Sequence, residues 1–394
     1  MDISKEVIKY KDELISIRRY LHMNPELGFE EFKTQEYIIN YLESLGLKPE
    51  KLARTGVVAL LKGNGDGKTV MLRADMDALM VEEENEVEYK SKNQGIMHAC
   101  GHDGHMAMLL IAAKILTENR DSFSGNVKFV FQPNEEDAGA YLMVEEGVLE
   151  NPKVDAAIAI HLWSPIETGK MSIQEGPVMG AMDIFRLEIF GKGGHTALPQ
   201  EAIDPVYIAS QIVVNLLSIQ AKEINALTPT TISVAKLVSG TAPNIIPGSA
   251  ELEGTIRYLY KGGKDSLEKP LERFERIVKG ICETYGASYN LEITPSNFVV
   301  DNDASLVNLI KENANNLIGE RNLVSYQTMA GEDFSEFSKN IPSCLFFVGT
   351  RNVEKETHYP HHHPRFNIDE DALALGVEMH VRNTLSFLNN NREV

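Results

Sequence analysis

The spacing of apolar residues divides the chain into three stretches, and the first predicts helices alternating with strands. The predicted helices of this stretch cover residues 4–22, 31–45 and 106–117. The predicted strands cover residues 56–61, 69–72, 127–131 and 154–160. Such alternation predicts an α/β domain whose central sheet is mainly parallel.

The middle stretch has a different pattern, because residues 183–190 alternate with a period close to two. Further strands are predicted at residues 231–237, 250–259 and 289–294, and helices at residues 205–219 and 267–285. This strand–helix–strand–strand–helix–strand order predicts a small ferredoxin-like α+β domain. After residue 295 the α/β pattern returns, so we expect residues 1–181 and 295–394 to form one domain that carries residues 182–294 as an insertion.

Composition and charge narrow the function classes. The chain has 394 residues, of which 43% are hydrophobic and 24% charged, as in an ordinary globular protein. Lys and Arg total 38 against 57 Asp and Glu, a net charge of −19, which argues against binding nucleic acid or an anionic membrane surface. The charged, amphipathic start does not resemble a signal peptide. Three widely spaced cysteines fit a reducing compartment, and we expect a cytoplasmic protein.

The densest chemical signal lies between residues 97 and 105, in the sequence MHACGHDGH. It places four side chains of metal-ligand type close together: His98, Cys100, His102 and His105. An isolated His or Cys would more often be a buried structural residue. A cluster at this spacing instead favours zinc or another late transition metal, although some members could orient the ligands rather than bind.

Further polar residues follow the predicted strands. Glu135 and Glu136 follow one buried strand, and His161 follows the next. Two acids, Asp75 and Asp77, lie at the end of the strand that begins at residue 69. A run of three histidines, residues 361–363, lies near the end of the chain. Because sites in α/β sheets form at the carboxyl ends of the strands, these groups together predict a metal centre there. One carboxylate would bind metal while its neighbour acts as a base.

The inserted stretch contributes three polar candidates. His195 closes the glycine-rich sequence GKGGH, which lacks the Lys-Ser/Thr pair of a phosphate-binding loop. Asn244 and Arg257 stand among apolar neighbours, and Arg suits a bidentate grip on a carboxylate. Taken singly, each fits an ordinary loop amide or surface arginine equally well.

Together these stretches resemble the di-metal amidohydrolases of metallopeptidase family twenty, in the subgroup of hippurate hydrolases, aminoacylases and indole-acetyl-amino-acid hydrolases. The matching residues are 18–22, 25–27, 72–79, 97–105, 131–136, 161–163, 191–197, 242–247, 331–334 and 362–366. The resemblance implies a zinc-peptidase-like catalytic domain and an inserted ferredoxin-like domain that dimerises. Asn134, in place of Ala, and Met80-Val81, in place of Pro-Ile, depart from the family pattern beside the chemistry.

The same resemblance implies two divalent metal ions (Zn, Mn, Ni or Co) held by Cys100, His102, Glu136, His161 and His362. Cys100 would bridge the two ions, and the ligand of the histidine run would be the one two residues before Pro364. Glu135 would be the general base, and Asp75 would orient a ligand from behind.

In the inserted domain, the resemblance implies that His195, Asn244 and Arg257 help to bind substrate, with His195 entering the site of a partner chain. The chain is therefore expected to be a homodimer or higher homo-oligomer that hydrolyses the amide bond of N-acyl-amino acids, such as acetyl or benzoyl derivatives.

Three alternatives stay open. One is a small-peptide metallocarboxypeptidase or dipeptidase on the same scaffold. Another is an amidase whose nucleophile is Cys100, which would leave the glutamate pair and His362 without a role. The third is a non-enzymatic metal-dependent binding protein, against which Glu135 counts because a binder needs no base.

Overall fold

The computed structural model describes residues 2–389, and the chain divides into two compact units. The first comprises Met1–Val178, Val300–Tyr326 and Asp333–Val394, and the second comprises Met179–Val299 and Gln327–Glu332. No helix among the described residues is both long and apolar enough to cross a membrane.

Helices and strands alternate in the first unit. Its helices are α1 (Ile3–Lys9), α2 (Lys11–Met23), α3 (Phe32–Ser44), α4 (His102–Glu118), α5 (Ala140–Glu145), α8 (Ala304–Ile318), α9 (Ser335–Ser338) and α10 (Asp371–Asn389). Its strands are β1 (Glu50–Leu52), β2 (Gly56–Lys62), β3 (Thr69–Asp75), β4 (Asn126–Gln132), β5 (Ala156–Glu167), β6 (Met171–Ser172), β7 (Gly176–Met179, which ends at the unit boundary), β14 (Val300–Asn302), β15 (Leu323–Val324) and β16 (Ser343–Arg351).

Eight of these strands form the central sheet, in the order β1-β2-β4-β3-β5-β16-β6-β15. Strands β4, β3, β5 and β16 run parallel to one another, and the antiparallel pairs lie toward the two edges. All seven residues of β3 are buried, as expected for a central strand covered on both faces. This confirms the predicted α/β class with a mainly parallel sheet.

The main core is built around α4, in which all residues except Lys114 and Glu118 are buried. A helix that is apolar around its whole circumference belongs inside a domain, and α4 packs on α2, α10 and β3. The helix begins at His102, four residues before the predicted start at residue 106. The first turn of α4 is therefore polar and carries part of the MHACGHDGH motif.

Two predicted boundaries in the first unit were wrong. The expected helix 4–22 is interrupted at Tyr10, where α1 ends and α2 begins. Strand β5 does not end at Ile160 but continues to Glu167, because its pairing with β16 extends along almost its whole length. His161 thus lies within a strand, and the pairing of β5 with β16 fixes its backbone.

The second unit contains strands β8 (Ala181–Phe190), β9 (Gly194–His195), β10 (Thr230–Ser239), β11 (Ile245–Ile246), β12 (Ser249–Tyr258) and β13 (Ser288–Asn297) with helices α6 (Pro205–Ser218) and α7 (Pro270–Tyr285). Four strands form an antiparallel sheet in the order β10-β12-β8-β13, and β9 pairs separately with β11. Reversed, this is the 4-1-3-2 order of a ferredoxin-like sheet. Its core combines alternate residues of the strands, such as Phe185 and Leu252, with Ile212 of α6 and Phe274 of α7.

Candidate metal centre

The five predicted metal ligands all belong to the first unit, and backbone geometry fixes several of them. Cys100 and His102 flank Gly101, which caps α4 in the left-handed conformation (φ +90°) that a side chain rarely adopts. Gly104 faces β5 so closely that a Cβ atom would lie 2.4 Å from Leu162 Cδ1. These two glycines allow the start of α4 to approach the strand that carries His161.

The structure brings the five side chains together in two sets that share Cys100. In one set the ligand atoms of Cys100, His102 and His161 lie within 4.8 Å of one another. In the other, those of Cys100, Glu136 and His362 do so. Single distances are 3.8 Å from Cys100 Sγ to His161 Nε2 and 3.3 Å from Glu136 Oε1 to His362 Nε2. A sulfur atom shared by two donor sets is the arrangement that a bridging ligand requires.

Glu135 and Glu136 lie in a short 3₁₀ turn directly after β4, entered through Asn134 in the left-handed conformation (φ +55°). Asn is among the few residues that tolerate this conformation. Glu135 Oε2 lies 3.9 Å from His102 Nε2, and Glu135 Oε1 lies 3.4 Å from the backbone N–H of Asp333. Glu135 therefore faces the donor cluster without being in either Cys100 set.

The carboxylate behind His102 is Asp77 rather than Asp75. His102 Nδ1 lies 3.2 Å from Asp77 Oδ1 and 2.9 Å from the Asp77 carbonyl, but 3.8 Å from the nearest Asp75 oxygen. The second oxygen of Asp77 accepts the backbone N–H of Glu136 at 3.0 Å. Asp77 thus orients one candidate ligand and the backbone of another, a role that the sequence did not assign to it.

Asp75 instead contacts His105, with 2.6 Å between Asp75 Oδ1 and His105 Nδ1. His105 Nε2 accepts the backbone N–H of Leu162 at 2.8 Å. Both ring nitrogens of His105 are used, so this histidine supports the site and cannot bind metal without breaking one of these bonds. Its ring packs edge-on against His161 at 4.7 Å between centroids.

The first turn of α4 is also anchored from α2. Asp103 Oδ2 lies 2.8 Å from both Arg18 Nε and His22 Nδ1, and all three side chains are buried. Arg18 and His22 hold the pKa of Asp103 well below its ordinary value, against the effect of burial. This network belongs to the stretch 18–22, which the sequence linked to the family but not to a contact.

The electrostatics of the cluster favour a bound cation. Burial opposes a charge on His102, but the carboxylates of Asp75 and Asp77 outweigh it and raise its pKa to about 10. His161 is the opposite case, because burial and the neighbouring His105 lower its pKa well below the ordinary value. A neutral imidazole is the form of histidine that binds metal.

The three consecutive histidines have three different environments. His362 adopts a left-handed conformation (φ +64°), and its N–H donates to the Ala99 carbonyl at 2.8 Å, which directs its ring to Glu136. His361 packs against Trp163 at 4.3 Å between ring centroids, and its Nε2 lies 3.1 Å from the Leu162 carbonyl. His363 stacks on Tyr359. Only His362 belongs to a candidate ligand group.

The residues present fit a divalent metal. His102 Nδ1 is used by Asp77, while His102 Nε2 is buried and has no hydrogen-bond partner among the described residues. A buried polar nitrogen without a partner is costly unless something else satisfies it. Thiolate, imidazole and carboxylate are the ligand types preferred by zinc and its first-row neighbours.

The predicted substrate residues of the second unit fall into two groups. His195 and Asn244 are exposed neighbours, since His195 pairs with Ile245 and Thr196 N–H donates to the Asn244 carbonyl. Arg257 lies near the opposite end of β12 and donates to the Met329 carbonyl at 3.1 Å. Eight residues separate Ser249, at the His195 end, from Arg257, which is about 26 Å of extended strand.

Comparisons with known proteins agree with this geometry. Residues 71–385 match the family described as peptidase family M20/M25/M40. Thermostable carboxypeptidase 2 of Saccharolobus solfataricus is 39% identical over 394 residues, 98% of each chain. The N-acyl-L-amino acid amidohydrolase of Geobacillus stearothermophilus is 46% identical over 292 residues, which are 73% of this chain and 77% of that protein. The crystal structure of the Bacillus subtilis YXEP protein, a dinuclear metal binding peptidase from the M20 family, is 33% identical with a TM-score of 0.85, over 96% of this chain and 99% of that one.

Fold, donor set and relatives together define a hydrolase of the amidohydrolase and metallopeptidase class. The chain belongs to peptidase family M20/M25/M40, as its sequence motifs predicted.

Proposed function

We propose that the protein is a metal-dependent amidohydrolase that cleaves N-acyl-amino acids to a carboxylic acid and an amino acid. The observation that carries this proposal is the position of Cys100 in both donor sets, with the carboxylate of Glu135 beside them. The proposed ligands of two divalent ions are Cys100, His102, Glu136, His161 and His362, with Zn, Mn, Ni or Co as the candidate metals. The name of the Geobacillus relative supports the substrate class.

Bound divalent ions would polarise the substrate carbonyl and lower the pKa of water, which makes a nucleophile available near neutral pH. The residues of this chain then handle the protons. Glu135 takes a proton from the attacking water and returns it to the leaving amine. Asp77 holds His102 through Nδ1, so that Nε2 faces the site. Asp75 acts one step further back, through His105 and the backbone of β5.

His195 is proposed to donate a hydrogen bond to the oxyanion. Asn244 and Arg257 are proposed to bind the free carboxylate of the substrate. Within one copy, Arg257 lies about 26 Å of extended strand from Ser249, the end of β12 that follows Asn244 in the chain. A small N-acyl-amino acid cannot span that distance. If both residues bind the same carboxylate, they come from two copies of the chain, which supports a homodimer in which His195 and Asn244 serve the partner.

A dimer also suits the surface of the second unit. Strand β10 is an edge strand among the described residues, and Leu237 and Val238 on it are exposed. Helix α6 exposes Val214 and Leu217. Exposed apolar groups beside an open strand edge are typical of an interface.

The cytoplasm is the proposed compartment. Cys100 must remain a thiolate to serve both donor sets, and Cys282 and Cys344 are buried and form no disulfide. A reducing environment preserves all three.

A carboxypeptidase acting on small peptides is the second candidate function, and the name of the Saccharolobus relative favours it. The test is a hydrolysis screen of N-acetyl- and N-benzoyl-amino acids against dipeptides. The protein is first stripped of metal and then reconstituted separately with Zn²⁺, Mn²⁺, Co²⁺ and Ni²⁺. Faster turnover of N-acyl-amino acids than of dipeptides by at least one metal form is expected, and the reverse order would favour the peptidase.

The same screen tests the alternative in which Cys100 is the nucleophile. Full activity after exhaustive chelation would support the thiol and overturn the metal-dependent proposal. Glu135→Gln, which leaves both Cys100 donor sets unchanged, is the matched control for background hydrolysis.

A further inference from the structure

Arg73 is a buried cation at the centre of the first unit that the mechanism above does not use. It lies on β3, is 2% exposed and is covered by the ring of Phe334. Its guanidinium donates to Asp75 on the same strand and to Gln132 and Asp333, which are distant in the chain. The distances are 2.6 Å from Nη1 to Asp75 Oδ2, 2.8 Å from Nε to Gln132 Oε1 and 3.1 Å from Nη2 to Asp333 Oδ1.

The contact with Asp75 leads toward the metal ligands. Asp75 is fixed by Arg73 through one oxygen and holds His105 through the other. His105 then accepts the Leu162 N–H, directly after His161 in β5. Arg73 thereby connects β3 to the backbone beside a candidate ligand.

The contacts with Gln132 and Asp333 lead toward the general base. Gln132 is the last residue of β4, three positions before Glu135, and its amide donates to both oxygens of Asp333 at 2.7 and 2.8 Å. Asp333 also accepts the Ala140 N–H at 2.8 Å, while its own N–H lies 3.4 Å from Glu135 Oε1. The turn that carries Glu135 is therefore held on one side by β4 and on the other by Asp333.

Both the charge and the shape of the side chain favour arginine over lysine at position 73. Arg73 forms ion pairs with two buried carboxylates, those of Asp75 and Asp333, and its removal would take the guanidinium charge away from both. The planar guanidinium fork directs N–H groups from three separate nitrogens at acceptors spread around it, whereas lysine offers a single nitrogen.

We propose that Arg73 is a positioning residue that sets Glu135 against the His161 side of the metal centre by holding Asp333 and Asp75 at once. This inference rests on the proposed function, since it takes Glu135 as the base. The expected consequence of losing the fork is a base that is displaced while the ligands stay in place. Turnover should then fall although substrate and metal still bind.

The test uses Arg73→Lys in the full-length, metal-loaded protein. We expect kcat on the best N-acyl-amino acid of the screen to fall about 10–100-fold, the usual effect of removing a support of a metal site. KM and the number of bound metal ions per chain should stay near those of the wild type. The absorption spectrum of the Co²⁺ form should shift, because the support of His161 has changed, and this readout does not depend on substrate.

A second variant, Asp333→Asn, keeps the backbone N–H that faces Glu135 but weakens the side-chain contacts with Arg73, Gln132 and Ala140 that hold it there. It decides the question if Arg73→Lys does not fold. It should lower kcat with little change in the Co²⁺ spectrum. The control is Lys128→Met. Lys128 lies on the same strand as Gln132, and the substitution removes a buried ammonium from three backbone carbonyls. This control should reduce thermal stability without changing kcat.

A folded, metal-loaded Arg73→Lys or Asp333→Asn with kcat within twofold of the wild type would overturn the inference. A fall in kcat no larger than that of Lys128→Met would do the same, since it would reflect general loosening. If the wild type itself hydrolyses no member of the screen, the proposed function fails, and only the Co²⁺ spectrum continues to test the contact of Arg73 with Asp75.

Discussion

Glu135 and Glu136 are adjacent in the chain but have different neighbours, so their loss should have different effects. Glu136 lies in the donor set of Cys100 and His362, whereas Glu135 lies outside both Cys100 sets. Glu135→Gln should retain bound metal and lose most of its turnover, and Glu136→Gln should lose metal as well. Measuring the metal content of the two purified variants by elemental analysis, together with their kcat values, tests this difference. Equal loading and equal activity would show that the roles are wrongly assigned.

The histidine run offers a test with internal controls. His362→Ala should lower metal occupancy, because His362 is the member of the run that lies in a donor set. His361→Ala should retain metal but lower the melting temperature, since its ring packs on Trp163. His363→Ala should change both measurements least. A greater loss of metal from either flanking variant would transfer the ligand role to that position.

Glu31 should make stability depend on pH. This fully buried carboxyl accepts Thr55 Oγ1–H and the Asn134 N–H, and burial raises its pKa to about 7 from the ordinary 4.5. A raised folded-state pKa contributes stability below pH 4.5 that is lost as the pH rises toward 7. The loss is about 3 kcal/mol across that interval.

Glu31→Gln removes the ionisation and should flatten this part of the profile, which urea unfolding between pH 5 and 8 would measure. The control is Glu36→Gln, an exposed carboxylate on α3, which should keep the wild-type slope. Parallel profiles for wild type and Glu31→Gln would mean that Glu31 does not titrate in this range.

At the scale of single elements, the start of α4 depends on one backbone conformation. Gly101→Ala introduces no close contact, because the nearest atoms to a Cβ lie 3.7 Å away, but it places Ala at φ +90°. A left-handed alanine costs about 1–2 kcal/mol. We expect a lower unfolding free energy and weaker metal binding, because Cys100 and His102 lie on either side.

The control is Gly280→Ala inside α7, where the Cβ would meet open space. It should stabilise the protein by about 1 kcal/mol. Calorimetry would thus show opposite signs for the same substitution, and a stabilising Gly101→Ala would contradict the account of the cap.

The order and type of most elements could be predicted from the sequence, because buried strands and amphipathic helices leave a local period. Their ends could not. Strand β5 extends past His161 because β16 pairs with it, and that partner lies about 185 residues away in the chain. Helix α4 begins early because Gly101 and the contacts of Asp103 with α2 satisfy its polar first turn.

The candidate ligands could be predicted for a similar reason, since their residue types are concentrated in short motifs. The residues that orient these ligands could not be predicted. Asp75 and Asp77 are two residues apart and chemically identical. Only the way in which the end of β3 packs against α4 brings Asp77 into contact with His102 and Asp75 into contact with His105. Arg73 gives no local signal at all, because two of its partners lie 59 and 260 residues away.

At the scale of the whole molecule, the proposed exchange of His195 between chains can be tested directly. His195→Ala should retain its metal and lose turnover by roughly 10²–10³-fold, as expected for one oxyanion donor. Mixing it with Glu135→Gln should recover activity, because each mixed dimer has one site with both groups intact. No recovery, despite demonstrated subunit exchange, would mean that His195 acts in its own chain or not at all.

The open edge of β10 has a consequence for the single chain. Strand β10, Thr230–Ser239, pairs with β12 on one side, so alternate residues direct amide and carbonyl groups to the open edge beside Leu237 and Val238. Such an edge templates the addition of any extended peptide, including another unfolded copy. Lys236 provides partial protection through its ion pairs with Glu251 and Glu253, as charges on edge strands do. Any condition that leaves this edge exposed at high protein concentration thus favours aggregation through β10.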